Sequence, residues 1–88
     1  MAGEKKVTGD QIRAARALIN LSAAKLAEET GLSRGTIQRA ELEKAEVTAS
    51  NMQRIVETLE KHNVIFIPEN GQGAGVRKAK RQKNRSRT

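Results

Sequence analysis

Hydroxyl side chains divide the first half of this chain at intervals that leave room only for short helices. Thr8, Ser22 and Ser33 are of the type that accepts a hydrogen bond from the free amides at a helix start. Gln11 follows Thr8 by three residues and completes a capping box. Gly31 is suited to the left-handed conformation that ends a helix. We therefore predict short helices over residues 9–18, 23–30 and 34–41.

The second half begins with the clearest amphipathic stripe in the sequence. Apolar residues recur at the i, i+3, i+4 and i+7 spacing of one helix face. They are Met52, Ile55, Val56 and Leu59. This stripe predicts a helix over residues 49–62, which Thr48 or Ser50 can cap.

A β-branched and aromatic segment, Val64–Ile67, follows and is typical of a strand. Pro68 cannot donate to a sheet ladder and confines the strand to an edge. Asn70 and Gly71 form a tight-turn pair, so a single strand and a hairpin returning through Val76 are both open. The predicted fold class is mainly α, with four to five short helices and a short C-terminal β-strand or hairpin.

The net charge of +7 comes entirely from the C-terminal end of the chain. Seven of the 17 Lys and Arg residues lie between 77 and 88 without any acidic residue, whereas residues 1–76 are formally neutral. We expect a flexible N-terminus at 1–7, folded segments at 8–62 and 63–76, and a disordered basic tail at 77–88. Non-specific phosphate contacts, a solubilising role, and binding to an acidic protein or membrane surface remain open for this tail.

Several classes of protein are excluded by what the sequence lacks. There is no cysteine and only one histidine, so neither a disulfide nor a transition-metal site is expected. No apolar run approaches the roughly 20 residues of a membrane span, and the first residues lack the apolar stretch of a signal peptide. Catalytic nucleophile–base pairs and phosphate loops are also missing. We expect a cytoplasmic protein that is not an enzyme, binds no metal or cofactor, and has no membrane partner apart from the alternative left open for the tail.

Residues 23–42 contain two of the predicted short helices, joined by a very short turn. Ala27 is small enough for two helices to cross closely, and Gly31 adopts a positive φ at no steric cost. Leu26, Leu32 and Ile37 can then share one core. The second helix is left as an exposed rod that fits a DNA major groove.

This pattern resembles the phage-repressor/Cro-type (XRE) helix-turn-helix family over about residues 8–62. The residues that carry the resemblance are Leu26-Ala27, Gly31-Leu32-Ser33, Ile37 and Glu41. Residues 64–77 also resemble a C-terminal extension of small bacterial members. The resemblance implies a lambda-repressor-like domain that binds double-stranded DNA and regulates transcription, typically as a repressor. The alternative is a protein-interaction module of the same fold, an antitoxin or anti-activator with a regulatory protein as partner.

The third helix has an inner and an outer face when its residues are placed about 100° apart. Ile37, Ala40 and Glu41 lie on the inner side. The outer positions predicted to read DNA bases are Arg34, Gly35, Gln38 and Arg39. Arginine can bond guanine, and glutamine adenine, through two hydrogen bonds. The resemblance points to the first, second and sixth positions of this helix, which are Arg34, Gly35 and Arg39.

Residues around this helix are predicted to contact DNA phosphates or to hold the helix in place. The phosphate candidates are Ser22, Lys25, Thr36 and Lys44. The chain departs from the family at Ala23, where glutamine is usual, and at residues 42–47, which contain neither glycine nor proline. The resemblance also implies an ion pair between Arg16 and Glu41, whose carboxylate would be costly to bury alone.

A second copy of the chain is the remaining predicted partner. One recognition helix alone binds weakly, and regulators of this type pair two helices about 34 Å apart on a palindromic operator. The candidate dimerisation residues are Val64, Ile65, Phe66 and Ile67, because an edge strand can add to its own copy. Phe66, the only aromatic residue, is equally well suited to the core of the monomer, and both roles can hold together.

Overall fold

The computed structural model describes residues 7–43 and 46–79, which form four α-helices followed by an antiparallel β-hairpin. The helices and strands are α1 (Gly9–Ile19), α2 (Ala23–Thr30), α3 (Arg34–Leu42), α4 (Ala49–Lys61), β1 (Val64–Ile67) and β2 (Gly75–Lys78). The predicted fold class is thereby confirmed, with the hairpin rather than a single strand. Among the described residues, no helix is long and apolar enough to cross a membrane.

Each helix begins directly after a hydroxyl residue whose side chain accepts a hydrogen bond from the amide three residues on. The four caps are Thr8, Ser22, Ser33 and Thr48. At Thr8 the bond is reciprocal, because Gln11 Oε1 accepts from the Thr8 amide at 2.9 Å. The predicted helix starts are correct because this capping chemistry is local to the sequence.

The helix ends differ from the predicted ones by one residue in three of the four helices. α1 and α3 each extend one residue further, and α4 ends one residue earlier, at Lys61. Asn20 and Glu43 end α1 and α3 in the left-handed conformation, with φ of 54° and 55°. Gly31 ends α2 in the same way at φ 77°. Only the glycine is a strong sequence signal for this conformation, so the sequence predicts the other two ends one residue too early.

The core lies between the helices and is closed on one side by the hairpin. Its largest fully buried side chains come from all four helices. They are Ile12, Leu26, Ile37, Ile55 and Leu59. Burying one such side chain stabilises the fold by about 1.5–3 kcal/mol. Val64 and Phe66 of β1 complete this cluster, while β2 packs against α1 and β1 against α4.

The hairpin extends further along the chain than the sequence suggested. Ile65 pairs with Arg77, and Val64 pairs with Lys78. The predicted boundary of the basic tail at residue 77 is therefore wrong, because pairing with β1 orders the first two basic residues of that segment. The remaining predicted tail, from residue 80, and the N-terminal residues 1–6 lie outside the described residues.

The Gln11 amide connects the hairpin to α1. Its Nε2 donates to the Ile67 carbonyl at 3.2 Å and to the Gly75 carbonyl at 2.9 Å. Gln11 is buried. Its side chain thus hydrogen-bonds the Thr8 amide at the start of α1 and one backbone carbonyl from each strand. The hairpin is consequently held against α1, whereas α3 packs on α1 and α2.

Candidate nucleic-acid interface

The turn between α2 and α3 is fixed by backbone bonds and one buried hydroxyl. The amides of Gly31 and Leu32 both donate to the Ala27 carbonyl, at 2.9 and 3.1 Å. Thr30 Oγ1 donates to the Leu26 carbonyl at 2.9 Å and accepts from the Leu32 amide at 3.2 Å. Thr30 was not singled out from the sequence, since a threonine in the last turn of a helix is no distinctive signal. These bonds define the direction in which α3 leaves the turn.

The two faces of α3 are separated as the helical geometry predicts. Ile37, Ala40 and Glu41 are buried. The side chains of Arg34, Gln38 and Arg39 are exposed, while Gly35 and Thr36 are half-buried. This short helix thus presents hydrogen-bond donors to solvent on its outer face and packs its inner face against the rest of the protein.

A groove of about 340 Å³ lies between the start of α2 and α3. Its lining residues are Ala23, Arg34, Gly35, Gln38 and Glu41. Three of the four predicted base-reading positions therefore meet at one surface. Ala23 contributes only a methyl group to the lining of this groove.

Arg39, the fourth predicted base-reading residue, lies along α3 towards the helix start. Its Nη2 donates to Thr36 Oγ1 at 3.2 Å. Thr36 Oγ1 is 3.0 Å from Ser33 Oγ, and either hydroxyl can donate. Arg39 Nη1 lies 3.5 Å from the position that a Cβ on residue 35 would occupy. The guanidinium is thus placed by its neighbours on the same helix.

The predicted phosphate contacts have different surroundings. Ser22 Oγ accepts from the Lys25 amide at 3.0 Å. The Lys25 ammonium is exposed and lies 3.7 Å from Glu28, and Thr36 is engaged with Ser33 and Arg39. Lys44 lies outside the described residues. Ser22 and Lys25 therefore remain on an accessible surface at the start of α2.

The Arg16 and Glu41 side chains meet between α1 and α3. Arg16 Nε donates to Glu41 Oε2 at 2.5 Å and Nη2 donates to Glu41 Oε1 at 2.9 Å. Nη1 donates to the Leu21 carbonyl at 3.1 Å. The hydrogen bond with Glu41 raises the pKa of Arg16, against the opposing effect of burial. This bidentate contact holds the inner face of α3 against α1.

Two further contacts between α1 and α3 were missed from the sequence. The Gly9 amide donates to Glu43 Oε2 at 2.5 Å, and Arg13 Nη1 donates to the Glu41 carbonyl at 2.7 Å. A Cβ on Gly9 would lie only 2.1 Å from the Glu41 carbonyl oxygen. The one available signal was a glycine at the first position of a helix, where it supplies neither a cap nor helix propensity.

The four predicted dimerisation residues point to opposite sides of β1. Val64 and Phe66 are buried in the core, with 3% and 6% of their surface exposed. Ile65 is 41% exposed, and Ile67 is half-buried. Because the first pair packs inside the monomer, only Ile65 and Ile67 can present side chains to a second chain.

Comparison with known proteins is consistent with this geometry. A family model described as helix-turn-helix matches residues 12–62, from within α1 to just past the end of α4. No curated protein matches the chain significantly. Within residues 7–43 and 46–79, no cluster of three His, Asp or Glu residues could hold a metal ion.

Proposed function

Since this chain belongs to the XRE/lambda-repressor-like family of DNA-binding helix-turn-helix regulators, we propose that it recognises a specific palindromic operator as a homodimer. In this proposal α3 enters the major groove, and occupation of the operator blocks transcription. The observation that carries the proposal is the outer face of α3, which presents Arg34, Gln38 and Arg39 to solvent.

The charge distribution on α3 supports DNA as the ligand although residues 1–76 are formally neutral. Arg34 and Arg39 are exposed on the outer face. The Glu41 carboxylate is paired with Arg16 on the inner side, and the Glu43 carboxylate accepts from the Gly9 amide. The helix therefore has a local positive face, which suits phosphates and the acceptor atoms of guanine.

Selection of bound sites from randomised duplex DNA tests the base readout. We expect the full chain to enrich one half-site, present twice in inverted orientation. Arg39→Ala should lower the preference at one base pair by about 1–3 kcal/mol, the value of a bidentate arginine contact. Lys61→Ala removes a positive charge from the exposed end of α4 and serves as the control, with weaker binding at most and the same base preference. Failure of the full chain to enrich any half-site would refute sequence-specific binding.

The proposed dimer uses the exposed side of the hairpin. Each strand of a two-stranded sheet has one edge outside the ladder, and such an edge can pair with a second copy. On the exposed face of the hairpin, Ile65 presents an apolar side chain opposite Arg77. A hairpin on α1 and α4 leaves the outer face of α3 free, so that dimerisation and DNA binding are compatible.

Ile65→Glu is expected to convert the dimer to a monomer, because it places a charge in the proposed interface on the exposed side of the strand without entering the core. Size-exclusion chromatography with light scattering measures the change, and circular dichroism checks the fold. Leu18→Glu, at a similarly exposed apolar residue on α1, should leave the dimer intact. A monomeric parent chain, or a dimer that persists in Ile65→Glu, would rule out this interface. Phe66→Glu is unsuitable because it would bury a charge.

A further inference from the structure

A chain of hydrogen bonds connects the exposed guanidinium of Arg39 to the N-cap of the same helix. Arg39 Nη2 donates to Thr36 Oγ1 at 3.2 Å, and this hydroxyl lies 3.0 Å from Ser33 Oγ. Ser33 Oγ also accepts from the Thr36 amide at 3.0 Å. Thr36 is thereby held through its backbone and its side chain. A long, exposed arginine is thus hydrogen-bonded to the capped first turn of its own helix.

Gly35 provides the space in which the Arg39 guanidinium lies. Arg39 Nη1 is 3.5 Å from the position of a Cβ on residue 35, an ordinary van der Waals distance. A methyl group would fit beside the guanidinium. A longer side chain would occupy the same volume, because residues i and i+4 are neighbours on a helix surface. Two neighbouring residues therefore affect the conformation of Arg39. Residue 35 leaves space for the guanidinium because it has no side chain, and the hydroxyl of residue 36 accepts a hydrogen bond from it.

We propose that Gly35 and Thr36 are positioning residues that orient Arg39 to read a guanine in the operator half-site. This inference rests on the proposed DNA-binding function and extends it to the identity of one base. A guanidinium has five donors in a planar fork. One donor bonds Thr36, and others remain for the O6 and N7 acceptors of guanine. Orientation before binding reduces the loss of side-chain freedom in the complex. Thr36 accordingly acts through Arg39 instead of gripping a phosphate.

Thr36→Val and Thr36→Ser form a matched pair for the test. Both variants are made in the full chain and compared with the parent on duplexes that differ only at the base pair sensitive to Arg39→Ala. Valine keeps the shape of threonine but cannot accept the hydrogen bond, and we expect it to lower the preference for guanine about fivefold to tenfold. Serine keeps the hydroxyl and should retain most of the preference. Thermal melting checks that both variants are folded.

Gly35→Ala and Gly35→Met give an independent pair at the neighbouring position. Alanine should retain the guanine preference, whereas methionine should reduce it to the level of Thr36→Val. Equal weakening of binding to all duplexes by Thr36→Val, together with a smaller salt dependence, would identify Thr36 as a phosphate contact and overturn the inference. An unchanged guanine preference in both Thr36→Val and Gly35→Met would also overturn it. If the parent chain enriches no half-site, it is the proposed function that fails.

Discussion

Gly9→Ala is expected to lower the free energy of unfolding by about 3 kcal/mol or more, the upper range for overpacking a tight contact. A Cβ there would lie 2.1 Å from the Glu41 carbonyl oxygen and 2.7 Å from that of Ala40. Both atoms are backbone, so α1 and α3 would have to separate. Separation would also lengthen the bond between the Gly9 amide and Glu43. Urea denaturation followed by circular dichroism measures the loss.

The matched control is Gly35→Ala, the same substitution in another helix. Its Cβ would be 3.5 Å from the flexible end of Arg39 and 3.7 Å from Ser33 Oγ. Alanine has the higher helix propensity, and we expect a gain of up to about 1 kcal/mol in the free energy of unfolding. Equal effects of the two substitutions would show that α1 and α3 are not packed as closely as described.

Arg16→Ala is expected to destabilise the fold by about 3 kcal/mol, because it leaves a buried carboxylate without its partner. The side chains of Arg16 and Glu41 are 21% and 8% exposed. The pKa of Arg16 is raised in the folded protein. Its ion pair therefore stabilises the fold fully below the pKa that Arg16 has in the unfolded chain, and this stabilisation is lost only at strongly alkaline pH. The loss in Arg16→Ala should therefore be the same on either side of neutrality.

A double-mutant cycle separates the pair from its surroundings. Arg16→Ala combined with Glu41→Ala should cost less than the sum of the two single changes, since neither charge is then left alone. Glu28→Ala removes a carboxylate from an exposed pair with Lys25, 3.7 Å apart. That control should change stability by less than about 1 kcal/mol. Additive losses in the Arg16–Glu41 cycle would mean that the two residues act independently.

Helix starts could be predicted from the sequence, while some contacts between helices could not. A cap depends on one hydroxyl and an amide three residues away, as at Ser22 and Ser33. The end of α3 depends instead on Glu43, whose carboxylate binds an amide 34 positions earlier in the chain. No local pattern reports such a contact. For the same reason, the sequence shows Gly9 only as the first residue of a helix and does not reveal its close contact with α3.

The candidate site was predictable in its outline but not in its side-chain conformations. Helical geometry separates Arg34 and Gln38 from Ile37, because it needs only the angle between successive residues. It does not give the rotamer of Arg39, which follows from its bond to Thr36. On β1 all four residues are apolar, so the alternation that buries Phe66 and exposes Ile65 had no counterpart in the sequence.

Under the proposed function, the division of α3 into an anchored and an exposed face determines how operator preference can diverge among related chains. Arg34 and Gln38 are exposed, and surface substitutions of this kind usually change stability by less than about 0.5 kcal/mol. The residues at these two positions can therefore be substituted one at a time, in evolution or by design, with little loss of stability. Arg39 shares its conformation with Thr36 and the space above Gly35. Under the proposed function, the base preference of Arg39 depends on all three residues, and we expect that grafting the arginine alone onto another helix would not transfer it.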